Sequence, residues 1–300
     1  MGKLIFIIKN VIKAGLLLSC ILLLRSEYEK SCLNVPVYNI KTKKKINGRK
    51  RIVFLSDLHN KQFGRNNERL TAEIDKLSPD IILIGGDMPV VKKTDKEDDT
   101  NKNIEALDLD TSLSLCKRLA KKYPVFYANG NHELRLKNIK KYGNAYQTFK
   151  YKLKKSGVHY LEDTHEVFEN FVIYGLDIDG KYYTRKYIKS MSSEYINQKL
   201  GSADSEKFTI LLAHSPMYHE KYAEWGADLA LSGHFHGGTI RLFNNIGLMT
   251  PQYDFFSDRV VGMKDINGRK LIISAGLGTH SINIRLNNKP EIVVINVEPM

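Results

Sequence analysis

The amino-acid sequence predicts an α/β fold, and three of its features support that prediction. Six short apolar runs between residues 51 and 238 each end in Gly, Asp, Asn or His, as buried strands that open into loops do. Segments with helical periodicity lie between several of these runs. A chain of 300 residues with 42% hydrophobic content can also build one sizeable core. Alternating strands and helices imply a largely buried sheet that helices cover.

The N-terminal segment is apolar enough to form a membrane anchor. Residues 4–24 reach the length of about 20 residues that a transmembrane helix needs. The stretch is interrupted by Lys9, Asn10 and Lys13. Its uninterrupted part, residues 14–24, is as short as a signal-peptide core, but no A-x-A cleavage site follows it. We therefore predict an uncleaved anchor over residues 1–25, with a cleaved signal and lipidation at Cys20 as alternatives.

Positive charge bears on both orientation and partners. Three lysines within the first thirteen residues favour a cytoplasmic N-terminus, which places the rest of the chain outside the cell membrane. The basic run at 41–51 argues partly the other way. We predict a basic linker over residues 26–48 and one domain over residues 49–300. The net charge of +13 suits a membrane surface or a phosphorylated substrate, and no nucleic-acid module is visible, so nucleic acid is not an expected partner.

The remaining elements follow in chain order. Strands are predicted to begin the stretches 51–59, 79–87, 124–133, 171–180, 208–216 and 227–238. Helices are predicted within 66–78, 109–123 and 144–157. The highly charged stretch 91–110 is expected to be an exposed loop that leads into a helix, with an acidic metal site as the alternative.

The polar residues that could carry chemistry cluster at the predicted strand ends. In chain order they are Asp57, His59, Asp87, Asn131, His132, His214, His234 and His236. Each residue alone would ordinarily be a cap, a turn residue or a hydrogen-bonded core residue. In sheets of this kind, however, sites form where strands end. Imidazoles and carboxylates together suit Mn, Fe or Zn.

Spacing and flanking residues support a metal site. The alternate spacing of D-x-H at 57–59 and H-x-H at 234–236 would put both side chains of each pair on one side of an extended segment. Glycines flank the second pair at positions 233, 237 and 238, where they permit loop geometry that other residues resist.

These blocks resemble the calcineurin-like metallophosphoesterase family. The family pattern is D-x-H, then G-D, then G-N-H-[DE], then H, then G-H-x-H, and all five blocks occur here in that order between Asp57 and His236. The resemblance implies a four-layer α/β/β/α sandwich, preceded here by the N-terminal membrane anchor. It also implies a metal-dependent phosphoesterase with two divalent or mixed-valence ions of Mn, Fe or Zn.

The resemblance also implies a role for each residue. One ion would be held by Asp57, His59 and His236. The other would be held by Asn131, His214 and His234. Asp87 would bridge the two ions, a metal-bridging hydroxide would attack phosphorus, and His132 would protonate the leaving group or stabilise the phosphoryl group.

The C-terminal part is similar to a membrane-associated bacterial subgroup of that family. Two segments show this similarity: "GHFHGGTIRL", and the later G-L-G segment, which is followed by an arginine and P-E-I. Thr239 replaces the usual Gln, and Asn283 stands where Pro is common. Arg285 is a candidate substrate-binding residue, with a structural ion pair as the alternative.

The predicted function is hydrolysis of a phosphate mono- or diester at the membrane. The predicted location makes a lipid-linked or cell-envelope phosphate a candidate substrate. One alternative is a nuclease of the same fold, for which the basic helix at 144–157 would supply the groove. The other alternative is a non-catalytic metal-binding scaffold.

Overall fold

We describe a computed structural model of the chain, which covers residues 2–91, 104–184, 189–279 and 282–300. Most of the charged stretch expected to be a loop, residues 92–103, lies outside the described residues. The helices are α1 (Gly2–Ser31), α2 (Glu68–Leu77), α3 (Asp110–Ala120), α4 (Asn131–Leu136), α5 (Ile139–Tyr142), α6 (Ala145–Lys155), α7 (Ser193–Leu200) and α8 (His219–Trp225).

Two six-stranded sheets form the centre of the molecule. The first sheet has the order β1 (Val37–Thr42), β14 (Val293–Pro299), β2 (Lys50–Leu55), β3 (Ile81–Ile84), β4 (Val125–Ala128) and β5 (Val158–Leu161). The second has the order β12 (Gly262–Ile266), β13 (Arg269–Ile273), β9 (Leu229–Ser232), β8 (Phe208–Ala213), β7 (Phe171–Leu176) and β6 (Thr164–Phe168). A short antiparallel hairpin joins β10 (Gly247–Met249) to β11 (Phe255–Ser257).

Strand direction brings the predicted loops to one edge of each sheet. β2, β3, β4 and β5 are parallel, as are β7, β8, β9 and β13. The carboxyl ends of parallel strands lie at one edge, so the loops after β2, β3 and β4 are neighbours. The loops after β8 and β9 are likewise neighbours in the second sheet.

The two sheets pack face to face, and helices cover both outer faces. Side chains alternate along β2, so that Ile52 and Phe54 enter the core between the sheets. Val53 and Leu55 enter the core that α2, α3 and α6 cover. On the other side, α7 and α8 cover the second sheet. This arrangement confirms the α/β class and the predicted α/β/β/α layering, with an apolar helix at the N-terminus.

The segment expected to be a basic linker contributes a strand to the first sheet. Within residues 26–48, β1 pairs in parallel with β14, and Ile40 is buried in the core between the sheets. The end of α1 also contacts the domain, where Ser26 and Glu29 are buried. The remainder of α1 is exposed along its length.

Candidate metal centre

The predicted metal ligands all lie just beyond the carboxyl ends of five strands, on loops or, for Asn131, at the start of α4. Two of them follow β2, one follows β3, one follows β4, one follows β8 and two follow β9. In that order they are Asp57, His59, Asp87, Asn131, His214, His234 and His236. All seven side chains are buried. Residues from both sheets therefore meet in one buried cluster.

Most of these ligands have an unusual backbone conformation. Those with positive φ are Asp57 (52°), His59 (49°), Asp87 (53°), His234 (68°) and His236 (48°). Non-glycine residues rarely adopt this left-handed conformation, which costs of order 1 kcal/mol for each residue. The expectation of extended D-x-H and H-x-H segments is therefore wrong. Tight coils, rather than strand alternation, turn the paired side chains toward one another.

The ligand atoms converge around the two aspartates. His236 Nε2 lies 3.3 Å from Asp57 Oδ1. His214 Nε2 lies 3.1 Å and His59 Nε2 lies 3.5 Å from Asp87 Oδ2. Two groups of three possible ligand atoms, each within 4.8 Å of one another, share no residue: Asp57, His59 and His236 form one, and Asp87, His214 and His234 form the other.

Glycines permit this close approach. A Cβ atom on Gly233 would lie 2.1 Å from Asp57 Oδ2, so a larger residue would displace that carboxylate. Gly237 and Gly238 have φ values of 65° and 73°, as the predicted turn requires. Gly233 has a different role from the one predicted, because it gives space to a ligand and does not supply a left-handed turn.

Main-chain carbonyls orient two of the imidazoles. His214 Nδ1 lies 2.7 Å from the carbonyl oxygen of Gly85, and His236 Nδ1 lies 3.2 Å from that of Gly278. A carbonyl accepts a hydrogen bond, so Nδ1 carries the proton in each ring. In the neutral ring, Nε2 then presents its lone pair toward the aspartates, the arrangement that metal-binding histidines use.

The electrostatics of the cluster also fit a cation. Burial raises the pKa of Asp57, although His214 offsets part of that effect. Burial opposes ionisation of Asp87 too, but His214 and His132 hold the pKa of its carboxyl well below the usual range. Burial opposes protonation of His214, yet Asp87 and Asp57 raise its pKa to about 10. Two buried carboxylates thus call for nearby positive charge, which a divalent ion supplies.

The side-chain amide of Asn131 lies between His234 and Asp87. One end of its amide is 2.8 Å from His234 Nδ1 and 3.2 Å from Asp87 Oδ2. A nitrogen there donates to both acceptors, whereas an oxygen there would face acceptors alone and needs a cation between them. Gln252 Nε2 lies 2.5 Å from His234 Nε2. The other ring nitrogen, His234 Nδ1, is therefore the one that faces the cluster. Sequence reasoning did not identify Gln252, which belongs to no motif.

His132 lies at the edge of the cluster, with its Nε2 3.9 Å from Asp87 Oδ2. The amide of Val91 donates to its Nδ1 over 2.7 Å, so the proton of the neutral ring is on Nε2. Arg135 Nη1 is 3.4 Å from Nδ1 and 3.1 Å from Nε2, distances that place the guanidinium over the ring face. His132 can therefore donate a proton from Nε2.

Glu133, the last residue of the G-N-H-E block, positions two of the ligand loops. Its fully buried carboxylate accepts hydrogen bonds from the amides of Asp87, Met88 and Gly130, and from the hydroxyl of Tyr127. The sequence motif contains Glu133, but only its hydrogen bonds show that it ties the loop after β3 to the start of α4.

Arg285 is buried behind the metal centre. Its guanidinium donates to the main-chain carbonyls of Ala275, Gly276, Gly278 and Asn288. The Gly278 carbonyl is the one that also faces His236 Nδ1. The partners of the guanidinium are main-chain carbonyl oxygens, whereas the sequence predicted a substrate contact or an ion pair. Arg285 holds the loop that supports a ligand.

The fold and the cluster together define a metal-dependent hydrolase, and comparison with known proteins identifies the class. The sequence pattern of the calcineurin-like phosphoesterases matches residues 50–238. A metallophosphoesterase of Aquifex aeolicus (strain VF5) is 29% identical over 91% of this chain and 95% of its own length. The metallophosphoesterase Cj0846 of Campylobacter jejuni is 27% identical over 90% of this chain, which spans 63% of that relative.

Among solved structures, phosphopantetheinyl hydrolase (PptH) from Mycobacterium tuberculosis is similar at a TM-score of 0.42 and 15% identity. The match covers 76% of this chain and 89% of that one. The chain belongs to the calcineurin-like phosphoesterase family, and it is a metal-dependent phosphoester hydrolase.

Proposed function

We propose that this protein hydrolyses phosphate esters at a site that binds two divalent metal ions bridged by Asp87. The observation that carries the proposal is the position of Asp87 Oδ2, between His59 Nε2 of one ligand group and His214 Nε2 of the other. A carboxylate placed in this way can neutralise repulsion between adjacent dications. Asp57, His59 and His236 would hold one ion. Asn131, His214 and His234 would hold the other.

The residues of this chain supply the rest of the chemistry. Bound metal ions of such a site provide a water molecule of lowered pKa and neutralise charge on phosphoryl oxygens. In hydrolysis the oxygen of water bonds to phosphorus and its proton passes to solvent, the bond from phosphorus to the leaving oxygen breaks, and the leaving oxygen takes a proton. The Nε2–H of His132 is positioned to supply the proton, because Val91 occupies the other ring nitrogen.

We also propose that α1 is the membrane anchor and that the domain lies outside the cell membrane. In support, α1 contains an 18-residue window of mean hydropathy 2.0, none of which is buried against the protein. Lys3 and Lys9 lie in the first third of α1 and Lys13 lies soon after them, so positive charge is concentrated near the N-terminus.

The nuclease alternative has less support. It requires aromatic side chains on α6 that can stack on bases. Tyr146 is buried, and its hydroxyl accepts a hydrogen bond from Asn129. Tyr151 is exposed, so one of the two candidate aromatics is accessible.

Two variants test the proposed function. Asp87→Asn should lose most bound metal and most activity on p-nitrophenyl phosphate and bis-p-nitrophenyl phosphate, because it removes the shared anionic ligand. His132→Ala should keep its metal and lose about 10²–10⁴-fold in rate, the contribution of a general acid. Metal content and initial rates are measured on the full chain in detergent.

Each alternative outcome has a distinct meaning. His132 also lies within 4.8 Å of His59 and Asp87, so loss of metal from His132→Ala would make it a ligand rather than the acid. Wild-type protein that binds metal but cleaves neither ester would support the non-catalytic scaffold and contradict the proposal.

A further inference from the structure

The end of α1 and the metal centre are attached to the same loop. The amide of Asn288 donates to Glu29 Oε2 over 2.9 Å, and the amide of Arg285 donates to Ser26 Oγ over 3.0 Å. On its other side, Asn288 Nδ2 donates to the carbonyl of His236 over 2.7 Å. Residues 285–288 therefore join the membrane anchor to a metal ligand, and they set the orientation of the site relative to α1.

A second connection between α1 and the site runs along residues 240–257, which we call the aromatic segment. At one end, Leu242 and Phe243 line a cavity together with Leu22 and Arg25 of α1. At the other end, Gln252 contacts His234, a proposed ligand. The segment thus extends from the helix to the metal centre.

The aromatic segment exposes large apolar side chains. Seven Phe and Tyr side chains are exposed in the described parts of the chain, and four of them lie in this segment. They are Phe243 (90% exposed), Tyr253 (55%), Phe255 (56%) and Phe256 (64%). Two of the other three are on α1. Exposed aromatic side chains concentrated in one segment can mark an interaction surface, and aromatic rings are favoured at the lipid–water interface.

The neighbours of this segment indicate that a bilayer covers it. Leu22 is the third-last residue of the apolar part of α1, and Phe243 lines the same cavity. If α1 spans a bilayer, Phe243 would lie near the depth of the lipid headgroups. Arg25 is about half exposed at the same place and pairs with Glu29, and Arg259 is exposed just beyond the segment and pairs with Asp258. Guanidinium groups there can attract anionic headgroups.

We propose that the aromatic segment inserts into the lipid–water interface beside α1, so that the site takes phosphate esters carried by bilayer lipids. This inference rests on the proposed function and names its substrate class. The segment would place the metal centre at headgroup level, since Gln252 lies within it and touches a ligand. A lipid-borne ester could then reach the site without leaving the bilayer.

Depth in the bilayer can be measured without any activity. Full-length protein is reconstituted in vesicles of phosphatidylcholine and phosphatidylglycerol, with or without brominated phosphatidylcholine. Phe243→Trp and Phe256→Trp are compared with Tyr151→Trp, an exposed position on α6. Trp225, the one native tryptophan, is buried and gives a constant background. Brominated lipid should quench the first two introduced indoles and not the control. Equal fluorescence with and without bromine at positions 243 and 256 would overturn the proposal.

Substrate class is tested with a triple variant. Phe243→Ser, Phe255→Ser and Phe256→Ser are combined and compared with Tyr151→Ser. The probes are p-nitrophenyl esters in solution, and phosphatidic acid, phosphatidylglycerol phosphate and phosphatidylglycerol in vesicles. The triple variant should lose about tenfold or more on the vesicle ester that the wild type cleaves, as buried aromatic area is lost, and keep its rate on soluble esters.

The remaining outcomes separate the two proposals. Equal losses on soluble and vesicle esters, or cleavage of soluble esters with none in vesicles, would contradict the lipid substrate and leave the phosphoesterase proposal standing. Failure to cleave any ester, soluble or lipid, would contradict the proposed function, while the quenching result would still decide whether the segment enters the bilayer.

Discussion

Individual residues in this site are held by contacts that reach far along the sequence. The amide of His234 donates to both carboxylate oxygens of Asp57 over 3.1 Å. Gly233, one residue earlier, packs so closely against the same carboxylate that a Cβ atom at this position would clash with it. The identity of a ligand can be predicted from its motif, but the contacts that orient it come from distant residues. His234, for example, lies 177 positions from Asp57 in the sequence.

Gly233→Ala should show how much the approach to Asp57 matters. The added Cβ would lie 2.1 Å from Asp57 Oδ2 and 2.6 Å from Ser56 Oγ, so Asp57 must move. We expect metal affinity to fall by about 10–100-fold, the range found when groups that orient ligands are changed. Metal affinity is measured by chelator competition.

Gly180→Ala is the matched control for this substitution. Its Cβ would meet only Leu134 Cδ2, at 3.8 Å, and neither glycine has a positive φ. The control should bind metal as the wild type does. Equal affinities for all three proteins would show that Asp57 tolerates displacement or is not a ligand.

At the level of secondary structure, the six strands predicted from the sequence all lie in the middle of the sheets, whereas the edge strands and the inner strands β13 and β14 were not predicted. β2, β3, β4, β8 and β9 are almost entirely buried, and their apolar runs are evident in the sequence. β1, β6 and β12 lie at sheet edges; β1 mixes exposed and buried positions, and β6 and β12 have only exposed and half-buried ones. Edge strands carry charged side chains that protect them from further pairing, so they resemble loops in sequence. For this reason the sequence of β1 predicts a linker and not a strand.

Ile295→Ala tests the importance of the core between the sheets. Ile295 is fully buried in β14, where it pairs with Ile52 of β2 and Tyr38 of β1. We expect a loss of about 2–5 kcal/mol in the free energy of unfolding, because the cavity left behind cannot fully collapse. Urea unfolding of the metal-free protein in detergent measures it.

The control for that variant is Ile139→Ala. Ile139 is 70% exposed at the start of α5, and the change should stay within about 0.5 kcal/mol. A similarly small loss for Ile295→Ala would mean that β14 is not part of a tightly packed core between the sheets.

Across the whole molecule, ion pairs join the two sheets next to the metal centre. Lys137, just after α4, pairs with Glu162 after β5 and with Asp177 after β7. Lys150 of α6 also pairs with Glu162. Burial opposes ionisation of Glu162, but its two lysine partners lower its pKa to about 2 from an ordinary 4.5.

Glu162→Gln should therefore reduce stability in a pH-dependent way. A carboxyl whose pKa is lower in the folded state stabilises the protein above its unfolded pKa, and this contribution disappears as pH falls toward the folded pKa. We expect a deficit of about 1 kcal/mol at pH 7, in keeping with partly exposed ion pairs. The deficit should shrink as pH falls from about 4.5 toward 2, which urea unfolding at pH 7 and pH 3 can follow.

Glu194→Gln serves as the comparison, since Glu194 is exposed on α7. Its stability should match the wild type at both pH values. A Glu162→Gln deficit that is the same at pH 7 and pH 3 would show that the ionised carboxylate does not cause it.

The sequence alone determined which residues could form the site. The ligand chemistry is predicted by histidine, aspartate and asparagine residues at strand ends, with glycines beside them. The order of their motifs indicates the family. These features are local, because the type of side chain and the strand before it can be read from a few neighbouring residues.

Only the tertiary structure decided how those residues are held and what surrounds them. The left-handed backbone at Asp57 and His236, and the roles of Gln252 and Arg285, depend on loops that meet only after the two sheets pack together. The same packing brings residues 285–288 between α1 and His236. Distances between loops that are far apart in sequence follow from the buried core between the sheets, and no short stretch of sequence contains that information.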